Sequence, residues 1–216
     1  SMGYVFDFKD ACAWESWFAD PAGRIARDLE NRLMLDLLRP MSGQRLLDIG
    51  CGIGTDLPPL LEKGLLVTGL DPSPYMLDIA AQRLGRQVDL HRGTGEALPF
   101  DDNSFHYAVL NTTLEFVDDP HRVIAEAGRV AKDRLFLGVW NKYAIQGLRI
   151  RVKGLFQESI YNHARFYSVW ELKKAINELL GDVPVAWRTV CQFPPTSGAI
   201  AARLERIERI DFVQKC

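Results

Sequence analysis

From residue 45 to residue 140, short apolar runs alternate with amphipathic ones, and this alternation limits the folds open to the chain. Arg45–Ile49, Leu65–Leu70, Val88–His91, Tyr107–Asn111 and Leu135–Trp140 read as strands too apolar to keep one face in water. Between them, Thr55–Glu62, Pro74–Leu84 and Pro120–Val130 read as helices; the second has an apolar face of Met76, Leu77, Ala80, Ala81 and Leu84. Buried strands in βαβα order predict a parallel sheet covered by helices on both sides, with right-handed crossovers. Upstream, residues 10–19 and 22–38 have helical spacing, as in Ile25, Leu29, Leu33 and Leu37, with Pro40 as the stop. Downstream, 144–156 is a candidate helix weakened by Gly147 and Gly154. Ser168–Leu180 is a clearer helix, with Ser168 as N-cap and Glu171 as its capping-box partner. Pro184–Val190 reads as a strand, 198–210 as a helix, and Ile210–Val213 is the last candidate strand.

Composition excludes several classes. With 216 residues, 47% apolar and 25% charged, the chain is ordinary globular material. A strong electrostatic nucleic-acid binder is usually basic, and the net charge here is −2. The cysteines at 12, 51, 191 and 216 form no CxxC pair and have no histidine at ligand spacing, so no metal is expected. Reduced thiols of this kind suit the cytoplasm. The N-terminal SMGYVFDFKDACAWESW has no apolar signal-peptide core, and Ser1 before Met2 looks like an added residue. No run approaches the ~20 apolar residues of a membrane span, so stable membrane insertion is not expected.

Two features point to a nucleotide-like ligand. Asp48-Ile49-Gly50-Cys51-Gly52-Ile53-Gly54 follows the first strand directly. In open α/β sheets ligands sit beyond the carboxyl ends of the strands. Glycines there let backbone approach a ligand, although a tight turn alone explains them equally well. Asp71 ends the second strand, about 20 positions on, where an acid accepts ribose hydroxyls. It can also serve as a helix N-cap. The spacing is GxGxG; the dinucleotide fingerprint GxGxxG would need glycine at position 55, where Thr55 stands, and this disfavours a dehydrogenase.

The run LLDIGCGIG…VTGLDPSPYMLDIAAQRL…GTGEALPFDDNSFHYAVLNTTLEFVDDPHRVIAEAGRV resembles the class I S-adenosylmethionine-dependent methyltransferases. Within them it is similar to the type 11 branch, which includes the ubiquinone- and menaquinone-biosynthesis methyltransferases. The resemblance covers about residues 44–140, and Trp14–Glu30 also looks like the N-terminal helices of some bacterial members. It implies an α/β Rossmann-like three-layer sandwich, with a mostly parallel seven-stranded sheet in the order 3-2-1-4-5-7-6. The expected plan is a single domain over residues 2–216: a helical cap (2–40), a cofactor core (44–140), a substrate-pocket insertion (141–167) and a C-terminal helix with the sheet edge (168–216). The chain is slightly short for that plan, so the seventh strand is expected to be short or missing.

The resemblance also implies roles. Gly50, Gly52 and Gly54 would face the methionine part of the cofactor, and Asp48 would position that loop and the amino group. Asp71 would hold the ribose diol, and Pro72, Ser73 and Met76 would flank the adenine. The family's acidic adenine contact falls on Thr94, so it is lost or taken by the Thr94 hydroxyl with the Gly95 and Glu96 backbone. Asn111 would line the methyl-donor site. His106 replaces an aspartate, and Lys132-Asp133-Arg134 replaces a glycine pair, which reads as a changed turn.

Methyl transfer from a sulfonium is an in-line displacement, so the protein must align the partners and exclude water. A base is needed only for a weakly acidic nucleophile. His163, in the polar-aromatic run Tyr161–Tyr167, is one candidate, because imidazole as a side-chain type suits proton removal near neutrality. Glu115 is the second. Tyr4 and Phe8 are lid candidates, whereas Trp14 and Phe18 read as packing residues and Cys51 as a small residue that fits its loop. Lys142, Arg149, Arg151, Lys153 and Arg165 against Glu158 leave a local +4, which would suit an anionic substrate or simply a solvated helix face. The expected function is methyl transfer from S-adenosylmethionine to a small molecule, leaving S-adenosylhomocysteine. The rival is a catalytically silent protein that binds either compound as an accessory or sensor. Asn111-Thr112-Thr113-Leu114 lacks the Asn/Asp-Pro-Pro-aromatic run of many DNA and protein amino-methyltransferases. No oligomeric state is implied.

Overall fold

The computed structural model describes residues 3–141 and 163–189. Two helices lead, α1 (Phe8–Ala19) and α2 (Pro21–Leu38). The core follows as β1 (Arg45–Ile49), α3 (Leu57–Glu62), β2 (Leu66–Asp71), α4 (Pro74–Leu84), β3 (Asp89–Arg92), β4 (Phe105–Asn111), α5 (Pro120–Val130) and β5 (Ala131–Gly138), with α6 (Val169–Leu180) last. The helix starts are chemically marked. Asp7 and Asp10 form a capping box on α1, Ser73 caps α4 ahead of Pro74, and Asp119 caps α5 ahead of Pro120. Ser168 and Glu171 form the expected capping box on α6.

The five strands are all parallel, in the order β3-β2-β1-β4-β5. This is the first five-strand stretch of the expected arrangement. Leu47, Ile49, Phe105 and Leu110 pack on one side of the sheet with Val123, Ala127 and Val130 of α5 and Ala175 of α6. Leu46, Val67, Tyr107 and Val109 pack on the other with Met34 and Leu38 of α2, Leu57 and Leu60 of α3, and Leu84 of α4. The result is the helix–sheet–helix sandwich predicted from the apolar strands. Each fully buried aliphatic side chain of this kind contributes roughly 1.5–3 kcal/mol.

Two expectations shift. Strand β5 begins at Ala131, because α5 runs into it directly and Lys132-Asp133-Arg134 are strand residues where a turn was expected. Their side chains are polar because they reach outward; Arg134 donates to the Leu38 carbonyl at 2.6 Å. Residues 184–189 form no strand. Pro184 lacks an N–H, and Val185 and Trp187 stay 38% and 45% exposed, so no buried face holds a strand there. The 144–156 and 198–210 helices and the Ile210–Val213 strand lie outside the described residues. No helix among the described residues is long and apolar enough to cross a membrane.

Candidate active site

The carboxyl ends of β1, β2 and β4 converge where the sheet order reverses, and their loops carry the polar groups. Gly50, Gly52 and Gly54 all have left-handed backbone, with φ of 80°, 52° and 71°. Space beside Gly52 is open, with nothing within 4 Å of where a Cβ would stand. At Gly50 the reason for glycine is steric as well, since a Cβ would meet Thr113 Oγ1 at 2.5 Å. Asp71 closes the loop from β2: its Oδ2 accepts the Gly52 N–H at 2.9 Å and its Oδ1 accepts the Ser73 N–H at 2.8 Å. Burial pushes the Asp71 carboxyl up to about 6, with the two backbone N–H groups holding it down in part.

A cavity opens beside this loop. Its walls include Tyr4, Phe6, Gly50, Asp71, Pro72, Thr94, Gly95, Glu96, Thr112 and Phe116. The N-terminal segment crosses it as a strap. The Tyr4 N–H donates to the Phe116 carbonyl at 2.8 Å, and the Ser73 hydroxyl donates to the Phe6 carbonyl at 2.6 Å. The Tyr4 hydroxyl donates to Asp10 at 2.7 Å, and its ring stacks on exposed His163 at 4.3 Å. Glu96 is held from two directions: its carboxylate accepts the Asp118 N–H at 3.1 Å and its carbonyl accepts Arg122 Nε at 2.8 Å.

A second cavity of about 870 Å³ begins at the end of β4 and runs along β5. Its donor end is formed by Trp14, Arg27, Glu30, Asn111, Thr112 and Trp140. Thr112 belongs to both cavities and has a left-handed φ of 54°, which costs a non-glycine residue of order 1–3 kcal/mol. Asn111 donates from its amide to Asp56 Oδ2 at 2.9 Å. Glu115 is 1% exposed; its Oε1 accepts the Trp140 N–H at 2.7 Å. The returning segment fixes this loop, with the Arg165 N–H on the Glu115 carbonyl at 2.9 Å and the Tyr167 hydroxyl on the Leu114 carbonyl at 2.8 Å.

Carboxylates therefore crowd the junction of the two cavities. Burial, then the neighbouring Asp56 and Glu115, pushes Glu30 up to about 8. Burial also pushes Glu115 to about 8, against the Trp140 N–H that lowers it. Burial raises Asp48, with Asp56 and Asp71 adding to the effect. Burial raises Asp56 too, opposed by Asn111 and Arg27. S-adenosylmethionine carries cationic sulfur and a cationic amino group, and a negative, partly desolvated site suits both. The open space at Gly52 and the buried acceptor Asp71 complete a fit to its loop-bound half.

The sequence-predicted residues divide by position. Gly50, Asp71, Pro72, Thr94, Gly95 and Glu96 line the strap cavity, and Asn111 lines the larger one. Ser73 and Met76 are 0% and 3% exposed and pack under the N-terminal segment, outside the walls of either cavity. Tyr4 covers the strap cavity, while Phe8 is 64% exposed and contacts Tyr75 at 6.0 Å. Trp14 and Phe18 pack with Ala11, Ile53 and Met76 as predicted, and they also wall the larger cavity. Cys51 packs against Gly69 of β2. His106 sits at the opposite end of the sheet, where its Nδ1 accepts the Arg45 N–H at 3.1 Å. Its departure from the family pattern thus lies away from the site. Sequence reasoning missed Glu30, Asp56 and Thr112 as site residues. Asp56, the acid directly after the glycine loop, was the one legible signal.

Comparison with known proteins agrees with this geometry. A family model described as a methyltransferase domain matches residues 47–136. An uncharacterized methyltransferase of Mycobacterium tuberculosis is 41% identical over 108 residues, covering 50% of this chain and 44% of that protein. The demethylmenaquinone methyltransferase of Renibacterium salmoninarum is 39% identical over 101 residues, covering 47% of this chain and 42% of its own length. The chain thus matches under half the length of these two curated relatives. The crystal structure of a SAM-dependent methyltransferase from Thermotoga maritima, described as a possible histamine N-methyltransferase, superposes with a TM-score of 0.67. It is 32% identical, and the match covers 80% of this chain and 78% of that one. With its glycine loop, terminal Asp71 and 3-2-1-4-5 sheet, the chain belongs to the S-adenosylmethionine-dependent methyltransferases.

Proposed function

We propose that this protein transfers the methyl group of S-adenosylmethionine to a small-molecule acceptor, releasing S-adenosylhomocysteine. The observation that carries this reading is that Thr112 lines both cavities, the one that holds Asp71 and the one that holds Asn111 and Trp140. A ligand held on Asp71 can then reach an acceptor lying past β4. In this reading Gly50, Gly52, Gly54 and Asp48 hold the methionine part, and Asp71 accepts the ribose diol. Pro72, Thr94, Gly95 and Glu96 flank the adenine, with Ser73 and Met76 supporting the strap. Bound S-adenosylmethionine supplies an activated methyl on a cationic sulfur. The residues of the chain align and shield the reacting atoms: the strap through Tyr4 and Phe6 closes one side, and Trp14, Phe18 and Trp140 exclude water on the other.

Glu115 and His163 are the proposed proton acceptors. Glu115 is buried with its carboxylate on the Trp140 N–H, and His163 stacks on Tyr4 of the strap. We place the reaction in the cytoplasm, in keeping with the unpaired Cys12 and Cys51. The test combines a calorimetric titration with S-adenosylhomocysteine and a methyl-release assay on a panel of small acceptors. Binding plus turnover supports the enzyme. Binding with no turnover across the panel favours the silent reading, and no binding rejects both. A full rate in His163→Ala removes that histidine from the proton path.

A further inference from the structure

We propose that the methyl acceptor is an amine, bound as its ammonium between the Glu30 carboxylate and the aromatic wall of Trp14 and Trp140. The inference rests on the methyl-transfer reading above and names its substrate class. Three observations carry it. First, Glu30 lines the larger cavity beside Asn111 and makes no hydrogen bond or ion pair among the described residues. Second, Asp56 and Glu115 stand behind that wall close enough to act on Glu30, and their buried Oδ1 and Oε2 atoms make no hydrogen bond. Buried polar oxygens are nearly always satisfied, so this pair leaves the acids behind Glu30 uncompensated. Third, the cavity wall at this end is aromatic, with Trp14 in edge contact with Phe18 at 5.7 Å and Trp140 in edge contact with Phe116 at 5.8 Å.

Charge bookkeeping points the same way. Five acids face the two cavities or stand directly behind them: Glu30, Asp48, Asp56, Asp71 and Glu115. Arg27 is the cation beside Asp56. Lys132, Arg134, Lys173 and Arg188 also line the larger cavity, so the negative charge an ammonium would meet is that of Glu30 and the acids behind it. Beside a neutral acceptor Glu30 would stay largely protonated at pH 7, and an ammonium is what favours its charged form. An ammonium supplies a donor and a positive charge to the cavity-lining Glu30, and carboxylate plus aromatic faces is the usual chemistry of a cation site. Of the basic residues that suggested an anionic substrate, Lys142, Arg149, Arg151 and Lys153 lie outside the described residues, and Arg165 donates to the Asp118 carbonyl at 3.1 Å.

The chemistry balances. For an amine the proton acceptor is Glu30 in place of Glu115 or His163: the ammonium gives one proton to its carboxylate, and the freed nitrogen lone pair forms the new N–C bond as the C–S bond breaks. The electron pair returns to sulfur, which becomes a neutral thioether. The product leaves as a methylated ammonium, and Glu30 passes its proton to water.

The test is a calorimetric titration of the complete chain, first with S-adenosylhomocysteine and then, on that complex, with tryptamine, tyramine and histamine. Each amine is paired with the neutral alcohol that replaces its amino group. The expected result is that at least one amine binds tenfold or more tightly than its alcohol. Glu30→Gln should erase that preference while leaving the affinities for S-adenosylmethionine and S-adenosylhomocysteine within twofold of each other. Glu115→Gln, which spares the cavity-lining acid, should retain part of the preference, and melting curves of both variants verify the fold. Alcohols binding as well as amines, or no amine binding to a complex that does form, would overturn the inference. So would a Glu30→Gln variant that loses S-adenosylmethionine selectively, because Glu30 would then serve the donor's sulfonium. Failure of S-adenosylhomocysteine to bind at all would instead reject the methyl-transfer reading, and the amine with it.

Discussion

Replacing Asp71 by asparagine separates its two jobs, shaping the loop and accepting the ligand. The carboxylate accepts two backbone N–H groups, from Gly52 and Ser73, and such charge-assisted bonds contribute about 1.5–3 kcal/mol each. Asparagine keeps an acceptor for Ser73 but turns an NH2 toward the Gly52 N–H, so one bond is lost. Even with both bonds made, the Asp71 carboxyl stands at about 6 against its ordinary 3.8, so holding the charged form costs about 3 kcal/mol at neutral pH. Asparagine relieves that cost. The two effects oppose each other, and the ligand-free variant should melt within about 5 °C of the parent. Affinity behaves differently. The ribose diol loses a charged acceptor, which at about 1.5–3 kcal/mol is a tenfold weakening or more at pH 7.5.

The pH dependence gives this a second signature. A carboxyl raised on folding is preferentially protonated in the native state, so its stability penalty is absent below 3.8, grows toward 6 and is constant above. The ligand prefers the ionised acceptor, so parent affinity for S-adenosylhomocysteine should fall as pH drops from 7.5 through 6 to 5. The asparagine variant should lose that step. Calorimetric titration at the three pH values reads both effects. Equal affinity of variant and parent at pH 7.5 would refute the placement of the ribose on Asp71.

Other substitutions probe the scaffold. Gly50→Ala adds a Cβ 2.5 Å from Thr113 Oγ1 at a φ of 80°, and it displaces the bond from that hydroxyl to the Ile49 carbonyl. About 2–3 kcal/mol should be lost, which a melting curve reads as a fall of about 5–10 °C. Ser168→Ala removes the cap of α6 and should cost about 1 kcal/mol in urea unfolding, while Ser168→Asp keeps most of it. Glu30→Gln should match the parent's melting temperature near pH 4.5 and exceed it increasingly up to pH 8. Burial, Asp56 and Glu115 raise that carboxyl with Arg27 near Asp56, so ionising it opposes folding. A difference that does not change with pH would contradict its enclosure among acids.

Much of the fold was legible because local chemistry marks it. Ser73-Pro74 and Asp119-Pro120 announce α4 and α5 to the residue, and Ser168 with Glu171 does the same for α6. Strand β5 was misplaced because its first residues, Lys132 to Arg134, point outward and lack the apolar signal, and no turn separates them from α5. Pro184–Val190 looked like a strand from composition, but a strand needs a neighbour, and composition cannot supply one. The loop half of the site was readable because Gly50, Gly52, Gly54 and Asp71 lie at a fixed spacing on consecutive βα units. The acceptor half was not. Glu30 comes from α2, Asp56 from the start of α3, Thr112 and Glu115 from the loop after β4, and Trp140 from beyond β5. Only tertiary folding brings such distant segments together, and only burial makes their charge unusual. His106 illustrates the converse: a departure within a motif that lies far from the chemistry.

A crystal structure with S-adenosylhomocysteine bound tests the central claim most directly. The account predicts the ribose diol on the Asp71 carboxylate, the adenine against Pro72 and the Thr94–Glu96 segment beneath the Tyr4 strap, and the sulfur facing Asn111 and Thr112. Ligand density elsewhere, or a ribose that leaves Asp71 bonded to Gly52 and Ser73 alone, would contradict it.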